Sequence, residues 1–389
     1  MTGDNDSVFE GLWWNGGMVT LFSRESAFPG ARPGTATRVG RNGGEEPGRA
    51  PVLDEFLAEA TSRAGAVDPG FARLWGEVAR LSSGGKRIRP ALVRLAAGAY
   101  PDPEPEPVVE AVGAAFELLH TALIVHDDVI DQDEQRRHQP TINAAAASRA
   151  SAAGSAPEQA RQYGASVGVI AGDLALAGAY RLVARSGLGP ERLPRLLDLL
   201  DRALFSSAAG ELLDVDHTLP GARPGHEQIL AATCLKTAVY SFETPLQAGA
   251  VLGGARDEDV EVLGRLGRAV GTAYQLVDDL LGVFGDPRET GKSVVSDLRE
   301  GKRTMLVAAA QRTPAGEELD TILGRPEISG EQVLRAREIL ERCGARREVE
   351  DMVAGCAAEV RELLDDAALP EALDRDLRRI VGGATERIR

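Results

Sequence analysis

Lysine is scarce in this 389-residue chain: Lys86, Lys236, Lys292 and Lys302 stand against forty arginines. A chain that uses arginine wherever a generic positive charge serves leaves each lysine to be explained. A compact, strongly hydrated ammonium suits a phosphate oxygen, and all four lie beside glycine or threonine, in GGKRIRP, CLKTAVY, ETGKSVV and REGKRTM. Cysteine is equally sparse. Cys234, Cys343 and Cys356 show no CxxC spacing, which excludes a disulfide framework and a cysteine-type zinc module and fits a reducing compartment. The net charge is −15, so the overall field repels phosphate and nucleic acid is not an expected partner. No apolar run reaches the roughly 18 residues of a membrane span, and no basic stretch leads into a long apolar one as in a signal peptide. These absences predict a soluble, acidic, cytoplasmic protein without a membrane span.

What is present is helical. Residues 1–51 are rich in Gly, Pro, Arg and Thr and read as a low-complexity, disordered extension, with a short sticky segment around Trp13 and Trp14. From Val52 onward, segments such as LDEFLAEATSRAGAV and VVEAVGAAFELLHTALIVHDDVID place apolar residues at i, i+3, i+4 and i+7. Breaks fall at 68–70, 100–107, 188–190 and 219–227, and the Ala/Ser-rich stretch 143–159 reads as part helix, part loose insertion. No alternating pattern is long enough for a sheet. With 43% hydrophobic residues there is apolar material for a large core, and 52–389 reads as a single all-α domain, a helical bundle around a central cavity.

Two acid pairs interrupt that apolar pattern. Asp127, Asp128 and Asp131 in HDDVID close one apolar helix, with Asp127 and Asp131 on one face. Asp278 and Asp279 in YQLVDDLLG close another. Adjacent carboxylates raise one another's pKa unless a cation lies between them, and Mg²⁺ binds through one or two carboxylates while completing its shell with substrate phosphates. An acidic helix end is also ordinary in a chain with 59 acids. The two pairs together with the four lysines point to one Mg²⁺–diphosphate site. GDPRETGKS (285–293) has one residue too many for a Walker A loop and follows a predicted helix where a strand is required, which excludes a nucleotide P-loop.

In order and spacing these motifs resemble the trans-isoprenyl diphosphate synthases, the polyprenyl synthetase family, over nearly all of the chain from residue 52. The resemblance implies the all-α isoprenoid synthase fold and a homodimer. It assigns Lys86 and Arg89 of GGKRIRP, with His120 and Arg137, to isopentenyl diphosphate. It assigns Arg136, Lys236, Thr237, Gln275, Lys292 and Lys302 to the allylic diphosphate. Asp127, Asp128, Asp131, Asp278 and Asp279 would hold magnesium, three ions with substrate bound, and together with Lys236 form the catalytic set. Some positions depart from the family pattern: Gly282 replaces the last aspartate of the second motif, His138 the glycine after the arginine pair, Ser293 the proline after GK, and Glu211 the glutamine of GQxxD, whose aspartate is Asp214.

The implied reaction is ionisation of an allylic diphosphate, attack by the isopentenyl double bond and loss of a proton, with Tyr274 facing the cation. Product length would be set along the helix before Asp127. Leu123 and Ala122 occupy positions where bulky aromatics stop growth at C15, so Leu119 becomes the next plug and Phe116 the one after. One helical turn, about 5.4 Å, matches about one isoprene unit, which predicts C20 geranylgeranyl diphosphate from dimethylallyl, geranyl or farnesyl primers. A C25 or longer product, a non-catalytic partner subunit and a class I terpene cyclase are the alternatives. The cyclase would have no use for GGKRIRP, and a partner subunit would be expected to have lost acids or clamp residues.

Overall fold

The computed structural model describes residues 51–385 apart from 84, 220–221, 223, 286–295 and 326. The chain up to residue 50, read above as an extension, and Lys292 lie outside the described residues. The helices are α1 (Pro51–Gly65), α2 (Pro69–Ser82), α3 (Ile88–Ala97), α4 (Glu106–Ile130), α5 (Ile142–Ala152), α6 (Pro157–Ala184), α7 (Arg192–His217) and α8 (His226–Thr233). A π-helix (Cys234–Glu243) follows, then α9 (Thr244–Leu252), α10 (Asp257–Phe284), α11 (Ser296–Glu300), α12 (Met305–Gln311), α13 (Ala315–Asp320), α14 (Gly330–Arg342), α15 (Ala345–Asp366) and α16 (Glu371–Thr385). The bundle is all-α, and its one sheet among the described residues is the two-residue hairpin β1 (Gln135–Arg136) with β2 (Gln139–Pro140). The sequence breaks become real ends. Asp68 caps α2 by accepting from the Gly70 and Phe71 N–H groups at 2.7 and 3.1 Å.

Helix α4 is the axis of the bundle. It packs on α6, α3, α1 and the π-helix, and Phe116, Leu118 and Leu119 are completely buried. Its neighbours α3, α6, α7, α9 and the first half of α10 share one apolar core, while the C-terminal half of α10 enters a second core with α12, α14 and α15. Helix α10 therefore ties the two cores together. The stretch 143–159 is more ordered than its composition suggested, because α5 runs from Ile142 to Ala152 and lies against α6.

Helices α4 and α6 are each long and apolar enough, by length and composition, to cross a membrane. This corrects the reading that no such segment exists; single acids such as Glu117 and Asp173 interrupt the apolar runs without making either helix polar. In α4 that apolarity is turned inward, with 78% of the window buried in the protein.

Gly164, Gly168 and Gly172 recur every fourth residue, so they form one stripe on α6. A Cβ there would lie 2.4 Å from the Asn143 carbonyl oxygen, 2.4 Å from Val129 Cγ2 and 2.2 Å from His126 Nε2, respectively. The stripe thus lets α6 approach the acid-bearing end of α4 and the start of α5. Gly164→Ala should cost about 1–3 kcal/mol in denaturant unfolding, since the obstructing atom is backbone. Gly76→Ala in α2, where a Cβ meets nothing within 4 Å, should instead stabilise by about 0.5–1 kcal/mol.

Candidate active site

The acids of α4 sit at its C-terminal turn. Asp131 caps the helix by donating its N–H to the Asp127 carbonyl at 2.8 Å, and Gln132 then turns the chain through a left-handed φ of 57°. Thr141 Oγ1 donates to the Asp133 carbonyl at 2.7 Å, and Asn143 Nδ2 donates to the Asp128 and Asp133 carbonyls at 3.2 Å each. The start of α5 thereby fixes the acid turn. The hairpin reverses over two residues, Arg137 and His138, with φ of 53° and 60°. Two left-handed residues are the signature of a type I′ turn, which favours Asn-Gly. Position 138 is where the family pattern has glycine, and its conformation explains why.

The hairpin folds Arg136 back over the acids. Its Nε donates to Asp128 Oδ1 at 2.6 Å, and its Nη2 to Asp127 Oδ2 and Asp133 Oδ2 at 2.9 and 3.1 Å. Opposite stands the π-helix, which ends just before a proline. Pro245 has no N–H to give the Ser241 carbonyl, and its ring crowds that oxygen. The Thr244 N–H turns instead to the Val239 carbonyl five residues back, where Thr244 Oγ1 also donates at 3.0 Å. Buried Glu243 closes the π-helix by accepting two hydrogen bonds at 2.8 Å from Arg268 of α10 and another from Arg202 of α7.

Lys236 and Thr237 lie near the start of this π-helix. Lys236 Nζ pairs with Asp127 Oδ1 at 3.1 Å, Glu211 Oε2 at 3.0 Å and Asp214 Oδ2 at 2.7 Å. Gly210 permits the approach of α7, since a Cβ there would stand 2.3 Å from the Lys236 amide nitrogen. Thr237 Oγ1 donates to Gln275 Oε1 at 3.0 Å, and Gln275 Nε2 donates to Asp279 Oδ1 at 2.9 Å. Lys302 reaches back across the chain to Asp131 Oδ2 at 2.7 Å and also pairs with Glu300 at 3.2 Å. Two of the four lysines therefore bind the first acid motif directly. Half-buried Asp278 and buried Asp279 sit near the end of α10.

A second cluster lies two turns down α4, at His120. Arg89 of α3 donates to Ser241 Oγ at 2.7 Å and lies over the Tyr240 ring at 4.7 Å. His120 Nδ1 is 3.1 Å from Tyr240 Oη. Gly85, at φ 90°, brings the backbone beside Lys86 so close to Arg137 that a Cβ would lie 2.8 Å from its Nη2. Burial, and then Arg89 and Arg137, hold His120 well below the usual imidazole range, so it is neutral at pH 7. Along the same helix Phe116, Leu119 and Ala122 are buried and Leu123 is half-buried.

Charge sharply divides the two clusters. Burial pushes the Asp128 carboxyl up to about 7 against the pull of Arg136. Burial also opposes ionisation of Asp127, but Lys236, Arg136 and Lys302 outweigh it and lower its pKa. The same pairs raise Lys236 and Lys302 despite burial. Carboxylate oxygens of Asp127, Asp128 and Asp133 come within 4.8 Å of one another, and Asp128 Oδ2 is buried without a hydrogen-bond partner. That donor set fits a hard, oxygen-seeking dication. Asp133 was missed in the sequence because it falls outside the DDxxD spacing; Tyr240 and Ser241 were missed because they read as core.

A family model for polyprenyl synthetase matches residues 78–340. Geranylgeranyl diphosphate synthase of Sulfolobus acidocaldarius is 31% identical over 67% of this chain and 74% of its own length. Geranylfarnesyl diphosphate synthase of Aeropyrum pernix is 30% identical over 76% of this chain and 88% of its own. The structure of a geranylgeranyl pyrophosphate synthase from Corynebacterium glutamicum, complexed with isoprenyl diphosphate and magnesium, superposes with a TM-score of 0.81 at 30% identity, covering 87% of this chain and 97% of that one.

The left-handed turn and the raised acid each give a test. His138→Gly should raise stability by about 0.5–1 kcal/mol in thermal unfolding, because glycine meets no steric penalty there. Asp128 must lose its proton to hold a dication, so Mg²⁺ affinity, measured by calorimetry, should weaken as pH falls below about 7. The expected slope approaches about tenfold per pH unit.

Proposed function

The chain belongs to the polyprenyl synthetase family, and from that premise we propose that it is a magnesium-dependent, chain-elongating prenyltransferase. It condenses isopentenyl diphosphate with dimethylallyl, geranyl or farnesyl diphosphate to give an all-trans polyprenyl diphosphate, C20 geranylgeranyl diphosphate. The observation that carries this reading is the division of charge. One cluster is built from aspartates and lysines, the other from Arg89, Arg137 and neutral His120. A diphosphate that must depart needs metal to stabilise its leaving charge. A diphosphate that only anchors its substrate needs cations alone.

The acid cluster accordingly takes the allylic substrate. Asp127, Asp128 and Asp131, joined by Asp133, would hold magnesium together with Asp278 and Asp279 of the second motif. When bound, the metal would neutralise the diphosphate and favour ionisation. Arg136, Lys236 and Lys302 then turn from carboxylate to phosphate oxygens, and Lys292, outside the described residues, is assigned to the same diphosphate. Thr237 and Gln275 orient the same group through their hydrogen bond. Lys86, Arg89, His120 and Arg137 hold isopentenyl diphosphate so that its double bond attacks C1 of the allylic cation. The proton lost from the new cation passes to the departed diphosphate. Apolar α4, with Tyr274 from α10, keeps water from the intermediate.

Leu119, fully buried one turn below Leu123, is the floor that selects C20. Phe116, a further turn down, would stop longer chains. The catalytic domain is 52–389, following the extension 1–51. The protein works as a cytoplasmic homodimer; Phe205, Leu212 and Val215 of α7, Leu219 just after it, and Tyr163, Val169 and Ile170 of α6 leave exposed apolar surface that a second copy would cover.

Full-length protein with Mg²⁺, labelled isopentenyl diphosphate and each primer should give a ladder ending at C20. Leu119→Ala should lengthen the product by about one isoprene unit, one helical turn of extra depth. A parent ladder running to C25 or beyond would overturn the C20 assignment, and no incorporation from any primer would overturn the elongating activity.

A further inference from the structure

Packing alone gives no reason for an acid at position 117. Glu117 lies between Phe116 and Leu118 in the most deeply buried part of α4 and is 3% exposed. Its Oε2 stands 3.9 Å from Arg89 Nη1, and that oxygen, like Arg89 Nε, has no hydrogen-bond partner among the described residues. Arg89 is itself buried, donates to Ser241 and lies over the Tyr240 ring. Arg137 sits on the two-residue turn of the hairpin, where desolvation disfavours its charge and Arg136 and then Arg89 repel it. Glu117 is the strongest charge opposing both effects.

Two guanidiniums converging on one pocket repel, and the one on a strained hairpin yields first. A buried carboxylate that faces Arg89 and is the strongest charge favouring Arg137 offsets that repulsion. We propose that Glu117 is a positioning residue of the second diphosphate pocket, the buried counter-charge that draws Arg89 and Arg137 together to receive isopentenyl diphosphate. This rests on the assignment of those arginines made under the proposed function. Glu117 touches neither substrate nor metal and acts through the arginines.

The test is Glu117→Gln in the full-length enzyme, which keeps shape and removes charge. Kinetics are measured with isopentenyl diphosphate varied at saturating allylic substrate, and then the reverse, alongside the melting temperature. The expected result is at least a tenfold rise in KM for isopentenyl diphosphate, with the allylic KM within twofold of the parent. Glu117→Asp should restore most of the loss, and serves as the readout if the glutamine variant does not fold. In an Arg137→Ala background, Glu117→Gln should raise that KM less than threefold, because one of its two clients is gone. An unchanged or lowered KM for isopentenyl diphosphate would overturn the proposal, since a carboxylate acting only as a repulsive charge predicts tighter binding on its removal. So would equal changes in both KM values with a fallen melting temperature that Asp does not rescue, the pattern of a packing defect. A parent enzyme that incorporates no isopentenyl diphosphate would instead defeat the synthase reading itself.

Discussion

The ammonium of Lys236 holds the arrangement together. It rises from the π-helix into a cage of Asp127, Glu211 and Asp214, and so joins α4, α7 and the π-helix through three ion pairs of 2.7–3.1 Å. Charges buried this far are costly unless paired, so the acids and the cations each need the other. Lys302 on Asp131 and Arg136 on Asp127, Asp128 and Asp133 extend the same logic. Without substrate, each of these three cations is therefore held by carboxylates, of which the site keeps an excess. On the proposed function, magnesium and diphosphate would enter together, one taking the carboxylates as the other takes the cations.

The scaffold around that mouth serves its geometry. The glycine stripe of α6 admits α5 to the acid turn, where Asn143 and Thr141 hold the carbonyls of Asp128 and Asp133. Pro245 follows the end of the π-helix, and Glu243 bolts that end to α7 and α10, while Lys236 pairs with Asp127 of α4 and Thr237 with Gln275. These devices lie at the edge of the apolar core. They fix side chains that would otherwise be long, flexible and mutually repulsive.

The helical periodicity made the bundle legible, and its breaks located most helix ends. The four lysines pointed to the mouth because arginine had taken every other basic role; two of them pair with the acids of α4. What escaped depended on shape. The π-helix is hidden because CLKTAVYSFE has an ordinary apolar pattern and only the following proline betrays it. The hairpin at 135–140 carries Arg-His where a turn of its kind favours Asn-Gly, so its strongest signal was missing. Asp133 lay off the motif's spacing, and Glu117 was hidden inside a run that otherwise reads as core. The membrane-like length of α4 and α6 was overlooked because isolated acids broke the runs while leaving the helices apolar overall.

The central claim is that cation and diphosphate enter by exchanging partners within one ion-paired site. Calorimetric titration of the full-length protein with a non-ionising thio-analogue of an allylic diphosphate, across a series of Mg²⁺ concentrations, tests it most directly. The account predicts weak binding without Mg²⁺ and a rise in affinity of at least a hundredfold at saturation, with the analogue raising Mg²⁺ affinity by the same factor. Equal affinity for the analogue with and without Mg²⁺ would contradict it, because the lysines would then be free to bind phosphate while the carboxylates stood unpaired.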